Sequence, residues 1–414
     1  MQEQQLPFAT IYIHRPVMKC SQSFPTIVIG AAVVLSACSE NSKLPDSALT
    51  GRQPTIAAPE RTLLPTVKIA PAVGWPAGAK PQAAAGTRVA AFAADLAHPR
   101  WLLALPNGDV LVAETNAPPR PEDEQGLRAW VMKVVMTRAG AGVPSPNRIT
   151  LLRDADGDGR AELRSLFIQG LNSPFGMALV GDRLYVANTD AIVSFPYQPG
   201  QTRIDAAATV VTDLPAGPRN HHWTKNLIAS ADGTHLYVTV GSNSNVAENG
   251  MAAEDGRAAI WEVDLPSGAK RLYATGLRNP NGLAWSDADK TLWTVVNERD
   301  ELGSDLVPDY LTSVQRTAFY GWPYSYYVST SMRACRRRGP TWWPRRWCPT
   351  THLVRMRRRW VWCAARAANC RLPLSRACSS GCTARGTGGH RAATRWCSCH
   401  SSRAAPTTGN PSTC

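Results

Sequence analysis

Four short strings hold the side chains with chemistry to offer. "GPRNHHWTKNL", residues 217–227, sets two histidines side by side just ahead of an apolar run. A neutral imidazole at the mouth of a cavity can take a proton from a hydroxyl, which makes His222 a candidate general base. A histidine pair that only bonds the backbone of its own loop is the plainer reading of the same string. "GLRNPNGLAW", residues 276–285, places the fixed donor fork of Arg278 beside the amide of Asn279. That pair can hold a carboxylate or a developing oxyanion; an Arg–Asp pair closing a turn is the alternative. "DADGDGRAE", residues 154–162, carries oxygen ligands at alternate positions, Asp154, Asp156 and Asp158, with Glu162 as a later one. This spacing resembles a calcium loop, but its flanks, "RITLLR" and "LRSLFI", read as strands, so the helical hand is missing and a solvated β-turn competes. "NERDELGSDLVPDY", residues 297–310, is rich in acids, Asp300 and Glu301 among them. It is a second hard-cation candidate or a polar rim loop.

These strings sit in a repeated frame. "HPRWLLALPNGDVLVAETN" starts at His98, "SPFGMALVGDRLYVANTDAIVSF" at Ser173, "HHWTKNLIASADGTHLYVTVGSNSN" at His221 and "NPNGLAWSDADKTLWTVVNERD" at Asn279. Each is an apolar strand, a Gly/Asp/Asn turn and a β-branched strand. The later starts are about 50 residues apart, the size of a four-stranded propeller blade. The longer first interval holds a Pro-rich and charged insertion at about residues 115–150, with helix predicted over 124–135. The fold class is therefore all-β, a β-propeller with about four blade cores in residues 89–328. A chain whose blades stop there leaves an open sheet edge.

The chain has 414 residues and a formal net charge of +14, which at first suggests a nucleic-acid partner. The charge is not spread evenly. Residues 329–414 hold 17 Arg and no Lys, Asp or Glu, leaving −3 for the rest, and nine of the 11 Cys lie there too. An RNA-binding arm would also carry Lys, Gly and Ser, and a zinc or disulfide module would show paired Cys-x-x-Cys spacing. An out-of-frame translation of a GC-rich gene accounts for the composition. If one base is lost near Val328, Trp342–Trp343 restores Val, Trp343–Pro344 Ala, Trp347–Cys348 Val and Trp360–Val361 Gly. Residues 381–391 then permit LHGSWNRRPP and 392–404 permit GYKVVFVPFEQG, which alternates like a strand. The tail is expected to be disordered, and no nucleic-acid partner is expected.

At the other end, Lys19 precedes "FPTIVIGAAVVLSAC", residues 24–38. The apolar run is about half the ~20 residues a spanning helix needs, so it reads as a secretory signal. "LSAC" resembles the bacterial lipobox, which implies cleavage before Cys38, lipid on its sulfur, and a periplasmic protein anchored to the outer membrane. Met18 is the natural start of such a signal. Residues 39–88, rich in Pro and Ala, read as an extended tether with a segment that packs on the domain surface.

Together, "NHHWTKNL", "LRNPNGLAW" and "YGWPYSYY" resemble the pyrroloquinoline quinone (PQQ)-dependent glucose/sorbosone dehydrogenases, with the L-sorbosone dehydrogenase-like branch nearest. The resemblance covers residues 88–327 and, through the restored strings, extends into the tail. It implies a six-bladed propeller holding the quinone and Ca2+ over its channel. It further implies His222 as the base that takes the C1 hydroxyl proton, Arg278 and Asn279 as quinone contacts with Arg278 stabilising the reduced oxygen, and Asp300 and Glu301 near the carbonyls that bind the calcium. The substrate is then an aldose or sorbosone-type sugar, and electrons pass to an external acceptor. With its last two blades out of frame, the product is expected to be inactive. A calcium-dependent lactonase-like propeller or a non-enzymatic binding propeller would share the blades.

Overall fold

The computed structural model describes residues 43–49, 55–60, 72–76, 78–119, 127–140, 142–288, 290–326, 330–331 and 354–356. The lipobox Cys38, the signal and most of the Arg-rich tail lie outside these residues.

The four repeated phrases become the first two strands of four antiparallel four-stranded sheets. The first sheet is β1 (Pro99–Ala104), β2 (Val110–Glu114), β3 (Arg148–Arg153) and β4 (Leu163–Ile168). The second is β5 (Met177–Val180), β6 (Arg183–Ala187), β7 (Ala191–Pro196) and β8 (Thr209–Asp213). The third is β9 (Leu227–Ala229), β10 (His235–Val240), β11 (Ala259–Asp264) and β12 (Lys270–Thr275). The fourth is β13 (Pro280–Trp285), β14 (Leu292–Val296), β15 (Asp309–Val314) and, from the Arg-rich tail, β18 (Val354–Met356). A two-stranded ladder of β16 (Ser325–Tyr326) and β17 (Thr330–Ser331) lies between β15 and β18 in the chain. Each sheet is a meander in chain order, and successive sheets meet at their first strands, β1 to β5, β5 to β9 and β9 to β13. This is the four-bladed propeller arrangement expected from the repeats.

Period-two patterning explains the packing. In β10, Leu236 and Val238 face the second sheet, whereas Tyr237 faces the fourth. One apolar cluster fills the space between sheets one and two around Phe167 and Leu184, another between two and three around Leu236 and Ile192, and a third between three and four around Ile260 and Leu292. Burying one such Leu or Ile contributes about 1.5–3 kcal/mol, so the second and third sheets depend on a neighbour on both faces, and the first and fourth on one.

The meander also fixes which loops share an end. Loops that precede first strands and loops that join second to third strands emerge on one rim. Loops that join first to second and third to fourth strands emerge on the other. Gly176, just ahead of β5, donates its N–H to Lys225 O, just ahead of β9, at 2.9 Å, so the starts of neighbouring inner strands lie side by side. The insertion in the first sheet joins β2 to β3 and so belongs to the rim of the His221–His222 loop. Its helix is Leu127–Arg138, three residues later than the sequence predicted. Part of the segment read as a tether packs on this rim: Lys43 N donates to Asp305 Oδ2 at 2.9 Å, Glu60 N to Leu302 O at 3.0 Å, and Ile56 and Ala57 pack against the buried cluster of Ala258, Leu306, Val307, Trp322 and Tyr326.

Candidate active site

The His221–His222 loop reaches the rim between β8 and β9, where it meets the loop leaving β10. His222 Nδ1 lies 2.8 Å from Ser242 O and 3.0 Å from Ser242 Oγ. A carbonyl oxygen can only accept, and Ser242 Oγ already donates its hydrogen to Ser244 O at 2.7 Å. Nδ1 therefore carries the proton, and Nε2, which bonds none of the described residues, keeps its lone pair. Burial, followed by the charges of Arg278 and His221, holds the imidazole well below its ordinary pKa. A half-buried, neutral imidazole with a fixed tautomer and an uncommitted Nε2 is the apparatus of a general base.

Behind Ser242 the loop is tied down again. Asn243 N donates to Glu254 Oε2 at 2.6 Å, Ser244 Oγ donates to Glu254 Oε1, and His221 N donates to Asn243 Oδ1 at 3.1 Å. Glu254 is buried, and burial raises its pKa. Gly241 opens this loop and must be glycine, because a Cβ there would stand 2.4 Å from Asn279 Oδ1 and 2.6 Å from His222 Cβ.

Arg278 and Asn279 follow β12, adjacent to the histidine loop through Ser242 N, which donates to Arg278 O at 2.7 Å. The five guanidinium N–H groups of Arg278 all meet protein acceptors. Nε donates to Asn245 O at 3.0 Å, Nη1 to Asn297 O at 3.2 Å and Glu298 O at 2.7 Å, and Nη2 to Asn245 Oδ1 at 2.9 Å and Asp300 Oδ2 at 3.3 Å. The turn-closing Arg–Asp pair that the sequence left open is thus present, with the guanidinium 3% exposed. Arg278 can act on a bound group through its charge, while its fork is committed to fastening Asn245 to the 297–300 turn. Trp322, from "YGWPYSYY", backs the same point, its Nε1 donating to Asn245 O at 3.0 Å. Asn279 differs: it is buried, and its Oδ1 has no hydrogen-bond partner among the described residues.

The acidic strings are not brought together. Asp154, Asp156, Asp158 and Glu162 do form a cluster, with candidate ligand oxygens within 4.8 Å of one another. The cluster sits in the loop joining β3 to β4, on the rim opposite His222. Each carboxylate accepts from its own loop: Asp154 from Gly157 N at 2.7 Å and Gly159 N at 2.9 Å, Asp156 from Asp158 N at 3.0 Å, Asp158 from Arg160 N at 2.7 Å, and Glu162 from Ala155 N at 2.8 Å. Asp300 and Glu301 lie on the His222 rim and join no such cluster among the described residues. The Asp300 carboxylate is turned to Arg278, and Glu301 takes a left-handed backbone, φ 71°.

Several residues of this site had no signal in the sequence. Ser242, Asn245, Glu254 and Arg257 lie in an unpatterned stretch between β10 and β11, and only tertiary contact gives them roles: Ser242 and Arg257 on the histidine loop, Asn245 on Arg278, and Glu254 on Asn243 and Ser244. Glu298 is a buried carboxyl whose pKa burial pushes up to about 7. It stands in the acidic string, but its burial, unlike its charge, is not readable there.

Residues 147–329, under half of the chain, match the family model described as TrAA12-like, an AA12 group of PQQ-dependent oxidoreductases, which shares its cofactor with the glucose/sorbosone dehydrogenases that the sequence resembles. Among solved structures, the chain is similar to the calcium structure of the Trichoderma reesei carbohydrate-active enzyme family AA12 protein, at 18% identity over 63% of each chain with a TM-score of 0.47. It is similar to the holo PQQ domain of pyranose dehydrogenase from Coprinopsis cinerea, at 18% identity over 61% of each chain and a TM-score of 0.45. It is also similar to the PQQ-bound aldose sugar dehydrogenase of Streptomyces coelicolor, at 19% identity over 61% of this chain and 72% of the other, with a TM-score of 0.40. The chain spans less than two thirds of the T. reesei and C. cinerea structures. No curated protein matches it.

Proposed function

We propose that this chain derives from a PQQ-dependent dehydrogenase that oxidises an aldose or sorbosone-type sugar at C1 and passes the electrons to an external acceptor. The observation that carries the reading is the His222 imidazole, with Nδ1 committed to Ser242 and Nε2 left with a lone pair on its rim of the sheets. The neighbouring residues fit a quinone. The Asn279 side chain has a buried oxygen without a partner beside His222, and the buried Arg278 charge lies close behind. Asn279 would hold the cofactor by its amide and Arg278 by its field. When bound, PQQ supplies the two-electron acceptor that this set of side chains lacks. His222 Nε2 takes the proton of the sugar C1 hydroxyl, and the Nδ1–H to Ser242 O bond stabilises the imidazolium that forms. Arg278 keeps the Asn245 and 297–300 loops in register while this happens.

Calcium is part of the proposal at two places. The Asp154–Asp156–Asp158–Glu162 loop has the oxygen set for a structural ion, and the Asp300–Glu301 turn lies on the rim where a cofactor-bound ion belongs. The protein is further proposed to be a periplasmic lipoprotein held by Cys38, touching the membrane only through its lipid. A lactonase-type propeller would need a convergent acid–Asn cage at this rim, and Asp300 there is paired with Arg278 instead.

The out-of-frame reading of residues 329–414 predicts that the chain as written oxidises sugar poorly and that restoring one base near the Val328 codon raises turnover at least tenfold. Both proteins are loaded with PQQ and Ca2+, and aldose-dependent dye reduction is followed. Absence of turnover and of PQQ binding in the restored chain would sink the dehydrogenase reading. Equal turnover in the two chains would sink the frameshift reading alone.

A further inference from the structure

Arg257 is buried, and no motif points to it. It stands just before β11, and its five N–H groups are spent on the loops that carry and face His222. Nε donates to Gly241 O at 3.1 Å. Nη1 donates to Pro215 O and Ala216 O, both at 3.0 Å, where the histidine loop begins. Nη2 donates to Asn220 Oδ1 at 2.8 Å and His222 O at 3.3 Å, where that loop delivers its imidazole. One planar fork therefore bridges the two ends of the base-bearing loop and the first residue of the loop that receives His222 Nδ1. Lys225 Nζ, fully buried nearby, touches the same Asn220 Oδ1 and His222 O only at 3.4 Å.

We propose that Arg257 is a positioning residue for His222: it holds residues 215–222 against Gly241 and Ser242, so that Nδ1 stays bonded to Ser242 O and Nε2 stays turned to the rim. This rests on His222 being the base of the proposed reaction, but the geometry it predicts can be read without turnover. A guanidinium is suited to the task because it alone offers five coplanar donors in a fixed frame; a lysine in its place keeps the charge and loses the frame. The groups that face His222 are His221 on its own loop, Arg278 after β12, Arg257 before β11, Lys225 ahead of β9, and Glu254 behind Ser244. Of these, Arg257 reaches both loops from a third position, with Gly241 O on one and Pro215 O, Ala216 O, Asn220 Oδ1 and His222 O on the other.

The test compares the full chain with its Arg257→Lys and Arg257→Met variants by long-range 1H–15N correlation of the histidine rings, with His222→Gln assigning the signals. In the unaltered chain His222 shows a single Nδ1–H tautomer and titrates well below an ordinary histidine. In both variants the two tautomers are expected to mix. The titration midpoint rises toward the ordinary value in Arg257→Met, which loses the cation, and rises less in Arg257→Lys. In the PQQ-loaded, frame-restored protein, kcat falls at least tenfold with KM nearly unchanged. A folded variant, judged by near-UV dichroism, in which the His222 tautomer and midpoint stay as they were overturns the proposal. So does a failure of both variants to fold, since a residue needed only for folding is not a positioning residue. If the tautomers mix as expected but the restored chain neither binds PQQ nor oxidises sugar, the positioning role stands and the dehydrogenase reading falls.

Discussion

The two rims of the propeller spend similar residues in opposite ways. On one, His222, Arg278, Arg257 and Glu254 come from three separate loops, are buried or half-buried, and fasten these loops by bonds to Ser242, Asn245, Asn220 and Asn243. On the other, Asp154, Asp156, Asp158 and Glu162 come from one turn, face solvent, and bond only amides within that turn. The first is preorganised by tertiary contact, so one substitution disturbs several loops. The second is a local motif whose charges water screens, so one substitution stays local. Burial, more than residue type, separates a site that can tune a proton transfer from one that can only gather a cation.

The largest effect expected is that of His222→Ala, which should lower kcat of the loaded, frame-restored protein by about 10²–10⁴-fold while PQQ still binds. An unchanged kcat would remove His222 from the reaction. Next is Arg278→Met. It removes the Arg278 donor from Asn297 O, Glu298 O and Asp300, and from Asn245, whose O keeps Trp322 Nε1 and whose Oδ1 keeps Asp300 N, and should cost about 3 kcal/mol in urea unfolding. A loss near zero would mean the network is dispensable.

Gly241→Ala should cost about 1–3 kcal/mol and reduce turnover together, because the new Cβ meets Asn279 and His222. A stable, fully active variant would contradict the close approach.

The same rim predicts a pH signature. Burial raises the Glu298 pKa from 4.5 to about 7. The native state thus holds this proton where the unfolded chain has lost it, and the contribution to stability is full below pH 4.5 and is lost as pH rises through 7. His222, held well below its ordinary value, acts oppositely: between its folded pKa and about 6.5 the unfolded chain binds the extra proton, and stability rises with pH. Glu298→Gln should therefore be more stable than the parent above pH 7, by roughly 2–3 kcal/mol, and equal to it below pH 4.5. Urea midpoints across pH 4–8 decide this, and a constant difference would refute the buried-proton account.

The smallest effect belongs to the far rim. Asp156→Asn should change stability in a calcium chelator by no more than ~0.5 kcal/mol and leave His222 unaffected, while abolishing any rise in Tm on adding millimolar Ca2+. A drop in turnover without calcium present would mean that the two rims communicate.

Much of the fold was legible because the blade repeat is a local code: an apolar strand, a Gly or Asp turn and a β-branched strand recur at His98, Ser173, His221 and Asn279, and each became a hairpin of its own sheet. The helix of the insertion was legible to within three residues, since helix ends depend on contacts beyond the helix itself. The strand Val354–Met356 was not: the Arg-rich text around it carries no strand signal, and pairing with Asp309–Leu311 defines it. In the site, His222, Arg278 and Asn279 could be found by type and spacing. The saturation of Arg278 could not, because its acceptors lie in the loops around residues 245 and 297–300, where sequence distance hides contact.

By itself the sequence determined the sheet count in its legible part, the turns between strands, and the side chains able to move a proton or hold oxygen, because each of these depends on a few neighbouring residues. Tertiary structure alone decided which of those side chains meet. It set His222 on Ser242, closed Arg278 on Asn245 and Asp300, brought in Arg257, and sent the Asp154–Glu162 turn to the opposite rim. The physical reason is that tautomer, pKa and hydrogen-bond saturation are properties of surroundings assembled from distant strands, and no single string of residues contains them.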